Sequence, residues 1–547
     1  MGGLESFATT NWGLFPGPNV QVTYDAKRPD GTSGSRSECD LAVDPRNPGT
    51  IIAVSKRFID NHTYKFTTAS SFSADGGNSW TDSRDLWLDA SQNWIGYTDP
   101  AIAFDDKSNA FLVSEPIVFE GDVEGRGMCG FRSVDGGATW QSPPARWDND
   151  PNADKQWVAS DVSDSSAHKG NVYACWGANT PLRFARSSDA GNTWRGLGNQ
   201  PAGVAITNET AYAPAVCVSD DGTIHIAWHL PSSSTIRYVE SNDGGNSFSQ
   251  PKTVVSGIRD ITSVFPPPPD RDFPAFPGGS FRVITLVSIA PIGARGCVIA
   301  WSDARGPFAR IYYRVQNEEG NWSGSMSGRP VLASMAVPDS LPVQHFHPQL
   351  AVNNSGIVAC AFYEFGQKHP DNAYRIDVRI ASSSAIFTTP FPVDFFYLAT
   401  VTDEAWDPKI DAPLSHGKAN TFIGEYFGLD SADDDFCVLW TDTRTGKQEL
   451  WFSRVATFRH ARRPGPIPQE MVGFMSPGVA AGGGGWIWIK GVRHPVPPHG
   501  PANEILELLA AYGLVSESKL KDRQALARQI MTTISKIAGS QRGQRGR

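Results

Sequence analysis

The chain has no apolar run of about 18 residues, so it offers no membrane-spanning helix. Its start, Met1-Gly-Gly-Leu-Glu-Ser6, lacks a basic segment followed by an apolar one, and no secretory leader is read there. Charge is sparse and tilts negative, at 19% Asp, Glu, Lys and Arg with a formal net charge of −9. An acidic chain is a poor general ligand for nucleic acid. Only seven cysteines occur, at positions 39, 129, 175, 217, 297, 360 and 437, and none stands in a CxxC or other metal-like spacing. An odd, dispersed set argues against a disulfide framework, and contexts such as Tyr-Ala-Cys175-Trp suit a small buried hydrophobe.

Abundant instead are Gly (53), Pro (40) and Trp (17), the composition of turn-rich β structure. One octapeptide accounts for part of it. Ser73-Ala-Asp75-Gly-Gly77-Asn-Ser79-Trp80 recurs as Ser133–Trp140, Ser187–Trp194 and Ser241–Phe248, with Asp-to-Asp spacings of 60, 54 and 54 residues. A fixed period of this size signals a repeat architecture. Each copy reads as a tight hairpin: the Asp carboxylate accepts backbone N–H groups across the turn, Gly supplies positive φ, and the aromatic residue resumes the strand.

Alternating apolar runs carry the repeat past the fourth octapeptide. First-strand candidates are 38–43, 99–104, 157–162, 213–218, 281–286, 347–352 and 406–410. Most are followed by a partner, as at 50–54, 171–176, 224–228, 298–301, 357–361 and 436–440. Degenerate octapeptides are read at 316–322 and 382–387. The last unit gains a third strand at 449–455, and Val20–Tyr24 is placed to supply its outermost one.

The octapeptide resembles the Asp-box of the sialidase-like β-propellers. That resemblance implies an all-β propeller over residues 18–456, seven-bladed by the strand count, with six blades as the alternative. Residues 1–17 form an N-terminal extension and 457–500 a Pro/Gly-rich linker. The stretch 501–547 reads as a helical appendage, because Ile505, Leu508, Leu509, Leu526, Ile530 and Ile534 recur near helical spacing. Residues 461–547 carry 12 Lys/Arg against 5 Asp/Glu, leaving 36 against 52 for the rest. Docking on the propeller and self-association or protein binding are the two roles open to this tail.

In such a fold the residues entering the first strands surround the central channel. They include Arg36, Glu38, Asp99, Trp157, Tyr212, Arg282, His345, His347 and Asp407, a mixture of charge, imidazole and aromatic rings that suits a sugar. Sialidases grip a substrate carboxylate with three arginines and use a Glu-activated Tyr nucleophile and an Asp acid/base. Arg36, Arg57 and Asp60 resemble the first two arginines and the Asp, and Glu209 precedes a strand as that family's Glu does. His347 stands where the Tyr is expected and Ser233 near where a further Arg is expected. Arg305 offers a third arginine without a motif to fix it.

The resemblance therefore implies a carbohydrate-active protein whose sialidase set is incomplete. As a hydrolase it would use Asp60, Glu209, Tyr212 and His347, with Arg36, Arg57, Asp99, Trp157, Arg305, His345 and Asp407 binding substrate. As a lyase on acidic glycans, a His or Tyr would take a proton while Arg neutralises the carboxylate. As a non-catalytic module it would bind glycan or protein, with the tail driving association. Trp157 and Tyr426 are sugar-stacking candidates. No cofactor is implied; Asp433-Asp-Asp435 offers oxygen ligands to Ca²⁺ or forms a solvated acidic turn. The compartment stays open, the resemblance leaning to a secreted or surface protein.

Overall fold

The computed structural model describes residues 13–24, 34–61, 65–120, 123–267, 274–333, 341–368, 373–383, 395–413 and 422–457, and the backbone of 474–475, 485–489 and 492–496. The architecture is all-β. Antiparallel four-stranded units recur along the chain, the first being Arg36–Val43, Ile51–Asp60, Lys65–Ser73 and Thr81–Asp82, each paired with the next. A seven-stranded sheet between Trp157 and Ser256 is a three-stranded unit and a four-stranded one joined where Ala178–Ser187 pairs with Ala205–Val218. In the last unit Gly428–Ala432, Asp435–Asp442 and Glu449–Thr457 are completed from the other end of the chain. Leu14–Pro16 and Val20–Gln21 both pair with Glu449–Thr457, covering an edge that would otherwise be open.

First strands pack side by side. Arg36–Val43 contacts Gly96–Phe104, which contacts Trp157–Ser160, which contacts Ala205–Val218. Val287–Ile292, Gln344–Val352 and Gly428–Ala432 continue the series, and the last contacts Arg36–Val43. Side chains staple these strands where no ladder does. Asp430 Oδ2 accepts the Val43 N–H at 2.8 Å, Asp40 Oδ2 accepts the Ile102 N–H at 3.0 Å, and Ser288 Oγ accepts the Leu350 N–H at 3.0 Å.

The four octapeptides share one hydrogen-bond pattern. Ser73 Oγ donates to Asp75 Oδ1 (2.8 Å) and accepts the Gly77 N–H (2.9 Å), while Asp75 accepts the Ser79 N–H (2.9 Å) and hydroxyl (2.7 Å). The same bonds recur around Asp135, Asp189 and Asp243. Gly77, at φ +91, leaves room for Phe452 of the last unit; a Cβ there would lie 2.1 Å from that ring. Further along, Asn317 Oδ1 accepts the Asn321 N–H and Gln316 bridges Trp322, while most of 382–387 lies outside the described residues.

Two first strands fall elsewhere than their alternation suggests. Residues 281–286 are not a strand: Phe281 and Val283 are buried against an aromatic cluster with Phe276 and Phe346, and the ladder starts at Val287. Trp406 makes only an isolated bridge to Ile376, plugging the previous unit, and Gly428–Ala432 is the first strand of the last. Within 457–500, three short strands, Phe474–Met475, Gly485–Ile489 and Val492–Val496, pair as a separate sheet. Residues 501–547, with their helical pattern, lie outside the described residues. No helix among the described residues is long and apolar enough to cross a membrane.

Candidate functional site

The first strands break register at equivalent points: between Ser37 and Asp40, Thr98 and Ala101, Tyr212 and Ala215, and Phe346 and Gln349. At each break one residue turns left-handed: Glu38 (φ 47°), Asp99 (51°), Ala213 (48°) and His347 (49°). Lys155 (58°), before Trp157–Ser160, and Gly424 (89°), before Gly428–Ala432, do the same. This conformation costs a non-glycine residue about 1–2 kcal/mol. Asp and His bear it better than Glu or Lys. Proline follows Asp99, Ala213 and His347, and its missing N–H belongs where a ladder is interrupted.

The left-handed residues and their neighbours build a buried charged cluster from sheets far apart in sequence. Lys155 Nζ lies 2.9 Å from Asp99 Oδ2, 2.5 Å from Glu425 Oε2 and 3.9 Å from Glu38 Oε1. Lys56 pairs with Glu38 and lies 3.0 Å from Asp99 Oδ1, and Arg282 pairs with Glu425. Phe422 sits between two of the cations, its ring 4.9 Å from Lys56 Nζ and 5.0 Å from the Arg282 guanidinium. Glu38 and Glu425 are fully buried, whereas 19% of the Arg282 side chain remains exposed. Gly424 is required here, because a Cβ would stand 2.3 Å from the Glu38 nitrogen.

The cluster drives its carboxyls apart. Burial, with Asp99 adding to it, pushes Glu38 up to about 8. Burial also opposes charge on Asp99, yet Lys155, Lys56 and a hydrogen bond with Glu38 hold its carboxyl well below the usual range. Burial acts likewise against Glu425, which Arg282 and Lys155 keep low, and it raises Asp154 to about 6. Lys155 keeps its proton against burial because Asp154, Asp99, Glu425 and Glu38 surround it. Burial depresses His347 to about 3, with Arg282 and Lys155 reinforcing the effect and Glu425 opposing it. The site thus sets a carboxyl raised by burial among carboxylates held low by neighbouring cations, near an imidazole depressed by burial, a combination suited to moving protons.

Beside the charges lies an aromatic wall. Trp157 meets Tyr426 edge-on at 5.8 Å, Tyr426 donates to the Pro100 carbonyl at 3.1 Å, and Trp157, Tyr212 and Ala213 pack on buried Ile284, Leu286 and Tyr426. Tyr212, itself part-exposed, has its hydroxyl raised by burial and by Glu425. His347 is fully buried, and neither ring nitrogen has a hydrogen-bond partner among the described residues.

Of the residues singled out in the sequence, Glu38, Asp99, Trp157, Tyr212, Arg282, His347 and Tyr426 come together here. Arg36 and Arg57 stand opposite each other on adjacent strands and line a separate cavity of about 160 Å³ with Asp82, Arg84 and Asp85. Asp60 ends the same strand, in register with Lys65. Glu209 is held by Arg237, with Oε2 2.7 Å from Nε. Arg305 pairs with Asp303 and stacks on Tyr312 at 4.2 Å. His345 meets Glu364 at 2.9 Å, and Asp407 accepts the Lys409 N–H at 2.9 Å. Asp435 is turned to Arg454 and Asp434 to Ser355, so the acidic run does not converge on one point; among the described residues no group of three or more His, Cys, Asp or Glu is arranged to hold a metal ion. Lys56, Lys155 and Glu425 were not picked out by sequence reasoning. The recurring residue-then-proline step inside first strands is the signal that locates their neighbours.

No family model and no curated protein sequence matches this chain. Among solved structures it is similar to a protein of unknown function from Dyadobacter fermentans (12% identity, TM-score 0.42, covering 81% of this chain and 99% of that one). It is also similar to the NanB sialidase of Streptococcus pneumoniae (11%, 0.40, 62% and 67%) and to an intramolecular trans-sialidase from Ruminococcus gnavus (14%, 0.40, 62% and 92%).

Proposed function

We propose that the chain is a sialidase-like, seven-bladed propeller that binds and cleaves glycans where its first strands converge. The succession of contacts from Arg36–Val43 round to Gly428–Ala432 and back supports the ring. The observation that carries the function is the set of left-handed positions. Glycine would be cheap at every one of them, yet the chain keeps Glu38, Asp99, Lys155 and His347. Strain tolerated four times to aim four ionisable side chains at one spot favours a chemical use. Trp157 and Tyr212 supply the apolar platform a sugar ring needs.

A second reading has its own support. Glu38 and Glu425 are wholly buried and neutralised by Lys56, Lys155 and Arg282, as befits a structural plug beneath a purely binding surface. A screen of neutral and acidic oligosaccharides decides between them. New reducing ends support the enzyme, binding without new ends supports the module, and neither binding nor cleavage removes both.

A further inference from the structure

We propose, resting on that reading, that the glycan bound here is neutral, with no carboxylate, sulfate or phosphate on the sugar that meets Trp157 and Tyr212. An acidic sugar needs a cation to receive it, and each cation at this site is already engaged. Lys56 pairs with Glu38 and lies 3.0 Å from Asp99 Oδ1. Lys155 lies 2.5 Å from Glu425 Oε2 and 2.9 Å from Asp99 Oδ2, and Arg282 pairs with Glu425. A substrate anion reaching Arg282 or Lys155 has to displace Glu425, whose side chain is only 1% exposed. A buried carboxylate stripped of its cation is strongly unfavourable. The arginines that a sialidase-like grip would use lie elsewhere. Arg36 and Arg57 line their own cavity, and Arg305 is paired with Asp303.

The balance of charge points the same way. The three cations face three carboxylates, and two further carboxyls stand beside them. Asp154 Oδ1 accepts the Lys155 N–H at 2.6 Å, and buried Glu115 sits across the ladder from Thr98, the residue before Asp99. Among the described residues neither has a cation within ion-pair distance of its carboxyl. Burial raises both, Glu115 with Asp154 and Asp99 adding to it, and Asp154 to about 6. A further negative charge would enter where carboxyls already outnumber cations.

What the site offers a ligand instead is an apolar face. Trp157 and Tyr212 are part-exposed and pack on buried Ile284, Leu286 and Tyr426, whose hydroxyl is engaged by the Pro100 carbonyl at 3.1 Å. The C–H face of a neutral sugar ring packs on such a platform. Cleavage adds a second reason. Breaking a glycosidic bond develops positive charge on the sugar, and carboxylates in excess favour that charge while opposing an anionic substrate.

The test uses the full chain and oligosaccharides in matched pairs: sialyllactose against lactose, and a uronic-acid oligomer against its carboxyl-reduced form. Affinities are measured by titration calorimetry, alongside release of reducing ends. In each pair that binds, the neutral member should bind at least about tenfold more tightly. Glu425→Gln, which leaves Lys155 and Arg282 one carboxylate fewer, should shift that ratio about tenfold toward the acidic member. Trp157→Leu should weaken the neutral member about tenfold or more, and this part-exposed position serves if Glu425→Gln does not fold. An acidic member that binds as tightly as its neutral counterpart overturns the proposal and leaves glycan binding standing. Neutral binding untouched by Trp157→Leu places the sugar elsewhere and also overturns it. If no member of any pair, nor any glycan of the wider screen, is bound or cleaved, the reading beneath it falls as well.

Discussion

Replacing Lys155 with Met probes the cluster at its most connected point. Its ammonium touches carboxylates from three units, at 2.5, 2.9 and 3.9 Å, with only 9% of its side chain exposed. Met keeps most of the volume, so the loss is electrostatic. Removing one partner from a buried ion-pair set costs about 3–5 kcal/mol. Lys56 still serves Asp99 and Arg282 still serves Glu425, which places this substitution near about 3 kcal/mol. The pH dependence follows from the shifts. Asp99 and Glu425 are held below their usual values, so their contribution is present above the unfolded-state carboxyl pKa and lost as pH falls through the folded one. Lys155 itself is held above its usual value, so its contribution is present below the unfolded lysine pKa and lost only at high pH. The gap between wild type and variant should therefore be widest near neutrality and shrink as the solution becomes acidic enough to protonate Asp99 and Glu425. Urea midpoints with the m-value held in view provide the assay. A gap below about 0.5 kcal/mol, the range of an ordinary surface substitution, or one that ignores pH, would refute the argument.

Other expectations bear on the frame around the cluster. Gly424→Ala forces a Cβ against the Glu38 backbone at a left-handed position and should cost more than about 2 kcal/mol, read as a lowered melting temperature. Asp40→Asn keeps shape but offers one acceptor where Asp40 takes both the Leu41 and Ile102 N–H groups, and about 1–3 kcal/mol should be lost. Asp40 is also raised to about 8 by burial, so its contribution is full at low pH and declines as pH rises through that value; an acid limb of stability unchanged by the substitution would contradict this. If the basic tail drives self-association, the mass in solution should fall when residues 461–547 are removed.

The repeating parts of this molecule were legible in the sequence, and the convergent parts only in part. Asp75, Asp135, Asp189 and Asp243 announce their hairpins because each turn is made within eight residues. Alternation located most strands for the same local reason. It misled at 281–286 and 406–410, where Phe281 and Trp406 are apolar because they fill gaps between aromatic side chains, a use with no period of its own. Asp99, Trp157, Tyr212 and His347 could be found by counting strand entries. Lys56, Lys155 and Glu425 could not, since their pairing joins positions up to 270 residues apart (Lys155 to Glu425) and leaves no spacing to read. Arg36 and Arg57 show the converse, a local likeness that leads to a cavity of their own.

We propose that a glycan binds where the left-handed residues converge. A crystal structure with the tightest-binding oligosaccharide from the screen tests it most directly. A sugar ring against Trp157 and Tyr212 is expected; a sugar lodged instead beside Arg36 and Arg57, or on the outer rim, would contradict this placement.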